Sequence, residues 1–158
     1  MAQSITPFLW FDTQAEEAMN YYLSVFTDSE LLSVARYGEA GPGEPGSVMT
    51  AEFRLNDQTF VALNGGPHYQ FTPAISFVVN CDTQDEVDHY WEKLSEGGEP
   101  NQCGWTTDKF GVTWQIVPRI LLELMADPDR EKANRVVAAM LQMTKIEIPL
   151  LQAAYAGE

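Results

Sequence analysis

An internal repeat constrains the fold of this chain more than any other feature of its sequence. The tripeptide Asp-Thr-Gln stands at residues 12–14 and again at residues 82–84. In each copy a glutamate follows three positions after the threonine, as Glu16 and as Glu86. This spacing is typical of a capping box, in which the two side chains bond to free amides at a helix start. The repeat therefore predicts two helices that begin in matching contexts.

The segments around the two caps follow the same order of secondary structure. An apolar run of strand length precedes each cap, at residues 5–11 and 74–81, and an amphipathic helix pattern follows it. The apolar stripes of these helices are Ala18, Tyr21, Tyr22 and Val25 in the first copy and Val87, Tyr90, Trp91 and Leu94 in the second. Strand-like segments then cover residues 31–37, 48–55 and 59–63 in the first copy and residues 98–103, 105–107 and 112–117 in the second. The pattern is strand, helix and three strands, twice.

These patterns predict an α+β fold with two tandem βαβββ modules in a single domain, residues 1–158. We place the first module at residues 4–66 and the second at residues 72–118. Residues 119–158 are predicted to form a helical extension rich in apolar side chains. Apolar side chains in this number are expected to pack against another surface, either the sheet of this chain or a partner chain.

The acidic charge of the chain argues against nucleic acids and anionic membranes as partners. The chain has 23 acidic and 9 basic residues, a formal net charge of −14, which repels phosphate backbones and anionic lipids. We therefore expect no nucleic-acid partner and no membrane contact, and no apolar run is long enough to span a bilayer.

Cys81 and Cys103 are too few for a disulfide framework, and no activating group stands near either in sequence. We expect reduced, unreactive thiols and a cytoplasmic location.

The segment GEAGPGEPG at residues 38–46 has the composition of a glycine-rich phosphate loop but not its context. It joins two predicted strands and opens no helix, so no helix amino terminus is available for an anion. We interpret it as a hairpin loop.

Four stretches of the sequence resemble a known family. They are PFLWFDTQAEEAMNYYLSVF, FTPAISFVVNCDTQDEVDHYWEKL, CGWTTDKFGVTWQIVP and the closing KIEI. Together they resemble the PhnB-like branch of the glyoxalase/bleomycin-resistance (vicinal-oxygen-chelate) superfamily, whose members often carry the label demethylubiquinone methyltransferase. The resemblance implies that the two modules form a curved mixed sheet around a cleft and that the protein is a homodimer.

The resemblance also implies where a metal would be held. Metal-dependent members of the superfamily place four ligands on the first and last strands of the modules, and the matching positions fall near Thr6, Ala62, Ala74 and Gln115. Alanine has no donor atom, and one threonine and one glutamine cannot hold a divalent cation tightly. We therefore expect no metal. We also expect no other cofactor, because no strand leads into the glycine-rich turn and helix that would hold S-adenosylmethionine.

Strand alternation extends this alignment to the rest of the cleft. If Gln115 faces inward, every second residue of its strand does so as well, and the same parity turns Ala62 and Val78 inward. The predicted ligand-binding residues are Phe8, Trp10, Asn64, Ser76, Asn80, Trp105, Thr113 and Gln115. A lining of aromatic rings, amides and hydroxyls, with no carboxylate or imidazole, favours binding by stacking and hydrogen bonds over acid or base catalysis. For the two tryptophans a place in the core or an interface, and for Asn64 a turn, are alternatives.

Three functions remain open at this point. The first is a metal-free small-molecule-binding protein, for which a cationic ligand fits the acidic charge. The second is an enzyme of the superfamily, an isomerase, lyase or dioxygenase, with a metal site in another alignment. The third is an interaction protein with a vestigial cleft, whose working surface is the helical extension.

Overall fold

The computed structural model describes residues 4–158, which divide into two compact units. Unit 1 extends to Phe71 and unit 2 comprises Thr72–Glu158. Each unit contains one helix packed on one four-stranded sheet, and unit 2 carries three further helices.

Unit 1 has the predicted order of strand, helix and three strands. Its elements are β1 (Phe8–Phe11), α1 (Ala15–Val25), β2 (Ser29–Arg36), β3 (Val48–Leu55) and β4 (Gln58–Asn64). The strands lie in the order β1-β4-β3-β2, with β1 parallel to β4 and the other pairs antiparallel. Because β2 is an edge strand, one side of its backbone has no neighbouring strand in this sheet.

Unit 2 repeats this topology. Its elements are β5 (Ser76–Cys81), α2 (Gln84–Ser95), β6 (Glu99–Pro100), β7 (Trp105–Thr107), β8 (Thr113–Pro118), α3 (Arg119–Met125), α4 (Arg130–Met140) and α5 (Ile148–Ala156). The strand order is β5-β8-β7-β6, again with the first strand parallel to the last. The same strand order in both units confirms the α+β prediction of two tandem βαβββ modules with extra C-terminal helices.

The helix of each unit buries one face of its sheet. In unit 1 the ring of Tyr22 from α1 stacks on Phe53, and Phe53 stacks on Phe60 of β4. All three side chains are buried, as is Ala62 beside them. We call the opposite face of each sheet, which points away from α1 or α2, the distal face. The side chains of the distal faces are not used to hold the helices.

The two helix starts differ, which corrects one prediction. At α2, Thr83 accepts a hydrogen bond from the Glu86 amide at 3.2 Å and the Glu86 carboxylate accepts from the Thr83 amide, so the predicted capping box is present. The α1 helix begins one residue later than the pattern implied, and its N-cap residue Gln14 makes no side-chain capping hydrogen bond. The Asn64 side chain, from the end of β4, accepts from the Ala15 amide instead.

A pair of substitutions tests this difference. Thr83→Ala is expected to lower the free energy of unfolding by about 1 kcal/mol, because it removes an N-cap acceptor. Thr13→Ala at the matching position of unit 1 is expected to have little effect, since the α1 start does not depend on that hydroxyl. Urea denaturation followed by circular dichroism measures both, and equal losses would contradict the assignment.

The C-terminal extension forms its own apolar cluster at the end of β8. Its buried members are Val117, Leu121, Val136, Met143, Ile146 and Leu151. The Gln84 side chain at the start of α2 donates to the Ile146 carbonyl at 3.1 Å and accepts from the Ile148 amide at 2.7 Å. This pair of hydrogen bonds fixes the segment before α5 to α2. Among residues 4–158 no helix is long and apolar enough to cross a bilayer.

Candidate functional site

The distal face of unit 2 brings together all the cleft residues predicted on that module. Ser76 pairs with Thr113 and Asn80 with Val117 across the parallel β5 and β8, and Trp105 of β7 pairs with Gln115. The Gln115 amide donates to the Ser76 hydroxyl at 2.9 Å. The result is a row of neutral hydrogen-bonding groups with an indole at one side.

In unit 1 the strand register separates the predicted residues. Phe8 and Trp10 pair with Val61 and Leu63 on the distal face. Ala62, which we expected on this face, is fully buried on the helix side, so that expectation was wrong by one residue. Asn64 pairs with Phe11, also on the helix side, and its amide nitrogen donates to the Val48 carbonyl at 3.1 Å.

Sequence reasoning missed a carboxylate on the distal face of unit 1. Glu52 of β3 pairs with Val61, which in turn pairs with Phe8, so the three residues form one row across the sheet. Its carboxylate is half-buried and accepts a hydrogen bond from the Ser33 hydroxyl at 3.3 Å. The expectation of a lining without carboxylates is therefore corrected. The alternation of polar and apolar residues along β3 was the available signal.

The charge of Glu52 is not balanced by the cation on the same strand. Arg54, two residues along β3, forms ion pairs with Asp28 at 3.0 Å and Glu30 at 3.2 Å. Hydrogen bonds to these two carboxylates raise the pKa of the Arg54 guanidinium. Glu52 forms no salt bridge with any described residue, which leaves this part of the sheet negative.

The donor atoms do not fit the metal site of the superfamily. A side-chain hydrogen bond joins Gln115 to Ser76 in unit 2, and the register places Val61 opposite Phe8 in unit 1. A hydroxyl, an amide and aliphatic side chains are poor ligands for a divalent cation. Across residues 4–158, no three His, Cys, Asp or Glu side chains lie together as a metal would require.

The chain does not fit S-adenosylmethionine either. The turns that lead from β1 to α1 and from β5 to α2 contain no glycine, and each helix start is occupied by a side chain of this chain. A nucleotide-type cofactor needs a glycine-rich turn at that place, where its polar groups approach the backbone closely. The third strand-to-helix junction, from β8 to α3, has no intervening residue and no glycine, so no such junction in residues 4–158 has that feature.

A cavity of about 440 Å³ lies in unit 1 at the carboxyl ends of β1 and β4. The 37–47 loop closes one side, and the residues that follow β4 close the other. Its lining residues are Asp12, Thr13, Tyr37, Pro42, Gly43, Glu44, Ser47, Val48, Asn64, Gly65, Gly66, Pro67 and His68. We call it the unit 1 cavity. It lies at the strand ends, apart from the row formed by Phe8, Val61 and Glu52.

Trp10 connects the distal face of unit 1 to the wall of this cavity. Its indole nitrogen donates to the Gly66 carbonyl at 2.9 Å, and its ring makes edge contacts with His68 and Tyr69. Gly65 lies so close to the indole that a Cβ atom there would overlap with it. The ring is therefore held by backbone on one side and by aromatic edges on the other.

The two cysteines lie in different environments. Cys81 at the end of β5 is fully buried, and this burial raises the pKa of its thiol to about 12. Cys103 is half-buried and also free. Only the thiolate is nucleophilic, so Cys81 has very little reactive form at neutral pH.

We predict that iodoacetamide at pH 7.5 modifies Cys103 in the native protein and leaves Cys81 unmodified. In denaturant both thiols are expected to react, because the pKa of Cys81 returns to an ordinary value once the core opens. Mass spectrometry of peptides from a time course measures both rates. Rapid native labelling of Cys81 would contradict the assignment.

Comparison with known proteins agrees with this geometry. The family model described as 3-demethylubiquinone-9 3-methyltransferase matches residues 3–117, which leaves the C-terminal extension outside the match. The PhnB protein from Bacillus cereus is 42% identical, with a TM-score of 0.66 over 73% of this chain and 99% of that one. No curated protein matches the chain.

Two more distant structures show the same fold. Protein PA1353 from Pseudomonas aeruginosa is 23% identical, with a TM-score of 0.63 over 74% of this chain and 98% of that one. The product of AT5G48480 from Arabidopsis thaliana is 18% identical, with a TM-score of 0.51 over 74% of this chain and 99% of that one. By its sequence match and its repeated βαβββ topology, the chain belongs to the 3-demethylubiquinone-9 3-methyltransferase family, the PhnB-like branch of the glyoxalase/bleomycin-resistance superfamily.

Proposed function

We propose that this protein is a cytoplasmic homodimer that binds an organic small molecule on the distal faces of its sheets, without a metal. The observation that carries the proposal is the distal face of unit 2. Ser76, Asn80 and Gln115 present neutral donors and acceptors beside Trp105, and no ionisable group stands on β5, β7 or β8 of that face. Such a surface binds by stacking and hydrogen bonds.

The distal face of unit 1 supports a cationic ligand. Phe8 and Trp10 offer aromatic surface, and Glu52 offers a carboxylate that forms no salt bridge with a cation of residues 4–158. A cation beside aromatic rings and a carboxylate gains from both, through the ring quadrupole and through charge attraction. The net charge of −14 favours the approach of the same class of molecule.

The edge strand β2 supports the homodimer. Leu31, Leu32 and Val34 are 46%, 44% and 40% exposed, and no other strand of the sheet pairs with that side of β2. An exposed apolar edge strand is a template for pairing with another chain. Size-exclusion chromatography with light scattering tests this part of the proposal, which a monomer at micromolar concentration would refute.

One observation favours an enzyme as the second candidate. Glu52 is a carboxylate on a face made mostly of apolar and neutral groups, and such a group can accept a proton from a bound substrate. In this case the ligand would be converted rather than held. The proposed experiment separates the two functions.

The test is a thermal-shift screen of organic cations, each paired with a neutral compound of the same shape. A ligand at about 100 times its dissociation constant adds about 2.7 kcal/mol of stability, which is readily measured as a rise in melting temperature. We expect cations to be selected. Hits are then incubated with catalytic and stoichiometric amounts of protein and followed by NMR, in which conversion identifies an enzyme.

Two matched pairs of variants locate the site. Glu52→Gln should abolish the preference for cations, whereas Glu39→Gln in the exposed 37–47 loop should not. Gln115→Ala should weaken binding, whereas Gln142→Ala, an exposed residue of the extension, should not. A screen without hits, or hits that are indifferent to both Glu52→Gln and Gln115→Ala, would refute the proposed site.

A further inference from the structure

We propose that the unit 1 cavity is a second binding site, specific for a small primary ammonium compound with a small apolar body. This site goes beyond the proposed function, because it lies at the strand ends and does not include Phe8, Val61 or Glu52. Its volume of about 440 Å³ is within the range of small-molecule pockets.

The apolar wall of the cavity is a fixed tyrosine ring. The Tyr37 hydroxyl donates to the Asn64 carbonyl, which fixes the far end of the ring to the end of β4. The 37–47 loop wraps around the ring so closely that a Cβ atom on Gly41 would come within 2.6 Å of it, and one on Gly43 would come closer still. Glycine is therefore required at both positions, and the ring, which is only 8% exposed, lines the cavity as a rigid apolar group.

The same loop also fixes the position of Glu44. The Ser47 amide and hydroxyl both donate to the Glu44 carbonyl, at 3.0 and 2.6 Å, and the Tyr37 amide donates to the Ser47 carbonyl at 2.9 Å. The Glu44 side chain forms no ion pair with any described residue. The segment that packs around the Tyr37 ring therefore also orders the backbone that carries Glu44.

The polar groups of the cavity have an excess of negative charge. Asp12 and Glu44 contribute two carboxylates, and no lysine or arginine is among the described residues that line the cavity. Arg36, the residue before the loop, donates to the Gly46 carbonyl at 3.1 Å and forms no salt bridge with a described residue. An ammonium group would therefore meet two carboxylates that no side chain in the described part of the chain already neutralises.

An anion is disfavoured despite the helix start nearby. The α1 amino terminus would attract a negative group, but Asn64 occupies the Ala15 amide and Glu16 and Glu17 stand in the first turn. Together with Asp12, these carboxylates repel an anion. The Thr13 hydroxyl is not used as a helix cap, and it lines the cavity as a neutral hydrogen-bonding group.

The cavity depends on a loop that unit 2 lacks. In unit 1 the connection between β2 and β3 covers residues 37–47, whereas the corresponding connection between β6 and β7 covers only residues 101–104. At the end of the last strand, Pro118 of unit 2 takes the place of Asn64, as the strand registers show. The repeat therefore does not build the same pocket twice.

The test compares phenethylammonium with 2-phenylethanol by isothermal titration calorimetry, with the binding residues mapped by amide chemical shifts. We expect the cation to bind and the alcohol to bind at least threefold more weakly. Asp12→Asn and Glu44→Gln should each weaken the binding of the cation by about twofold to fivefold, as expected for exposed ion pairs. Glu39→Gln, in the same loop but outside the lining, is the matched control and should change nothing.

The outcomes separate this site from the distal faces. Equal affinity for cation and alcohol, or no effect of either Asp12→Asn or Glu44→Gln, would overturn the proposal. Loss of binding in Glu52→Gln with no change in Glu44→Gln would also overturn it, while supporting the proposed function. Shift changes around Tyr37 and His68 that persist in Glu52→Gln would support the second site independently.

Discussion

Replacing Asp108 with alanine is expected to lower the free energy of unfolding by about 3 kcal/mol. Asp108 is only 3% exposed and lies in the turn between β7 and β8. Its carboxylate accepts hydrogen bonds from the Phe110 amide at 2.8 Å, the Val112 amide at 3.1 Å and the Trp114 indole at 2.8 Å. The substitution removes the acceptor of two buried donors and one part-buried donor, and the desolvation of each is no longer compensated.

Urea denaturation followed by circular dichroism measures the loss. The matched control is Asp57→Ala, an exposed aspartate in the turn between β3 and β4, for which we expect less than about 0.5 kcal/mol. The fluorescence of Trp114 should also change in the folded Asp108→Ala protein, because the indole loses its acceptor. A loss no larger than that of the control would show that the three hydrogen bonds do not stabilise the turn.

Replacing Phe53 with alanine is expected to lower the free energy of unfolding by about 4 kcal/mol. Phe53 is fully buried, and its ring lies between Tyr22, at a centroid distance of 6.2 Å, and Phe60, at 5.7 Å. Truncation removes the middle ring of the stack and leaves a cavity between α1 and its sheet. Phe53→Leu keeps most of the volume and should cost about 1.5 kcal/mol.

The control for position is Phe8→Ala, because Phe8 is 59% exposed at one edge of the same sheet. We expect less than about 1 kcal/mol from that change, measured under the same conditions. If Phe8→Ala destabilised the protein as much as Phe53→Ala, the distal face of unit 1 would be part of the core rather than a binding surface.

The repeated Asp-Thr-Gln motif predicted the topology because each copy marks the junction between a strand and a helix. The second capping box was predictable in detail, since Thr83 and Glu86 are near neighbours in sequence. The first was not, because the acceptor for the Ala15 amide is Asn64, which lies 49 residues away. No local pattern identifies a cap supplied by another strand.

The strand faces were predictable only where the sequence alternates clearly. On β8, Trp114 and Ile116 are buried on the helix side and the polar Gln115 lies between them. The sequence alone therefore shows which residues of that strand point to each face. On β4 apolar residues point to both faces, and a shift of one residue leaves the pattern almost unchanged. The misplacement of Ala62 follows from this ambiguity. Glu52 could have been found by pairing β3 with β4 before assigning the lining.

The different helix starts have a consequence for the order in which the protein assembles. Everything that caps α2 lies within five consecutive residues, Asp82 to Glu86, so this helix can nucleate before its sheet has formed. The amide at the start of α1 gains its acceptor only after β4 has paired with β1 and brought Asn64 into place. Duplicated modules with one topology therefore need not fold by the same route. In unit 1 the long-range pairing of β1 with β4 comes before the capping of α1 by Asn64.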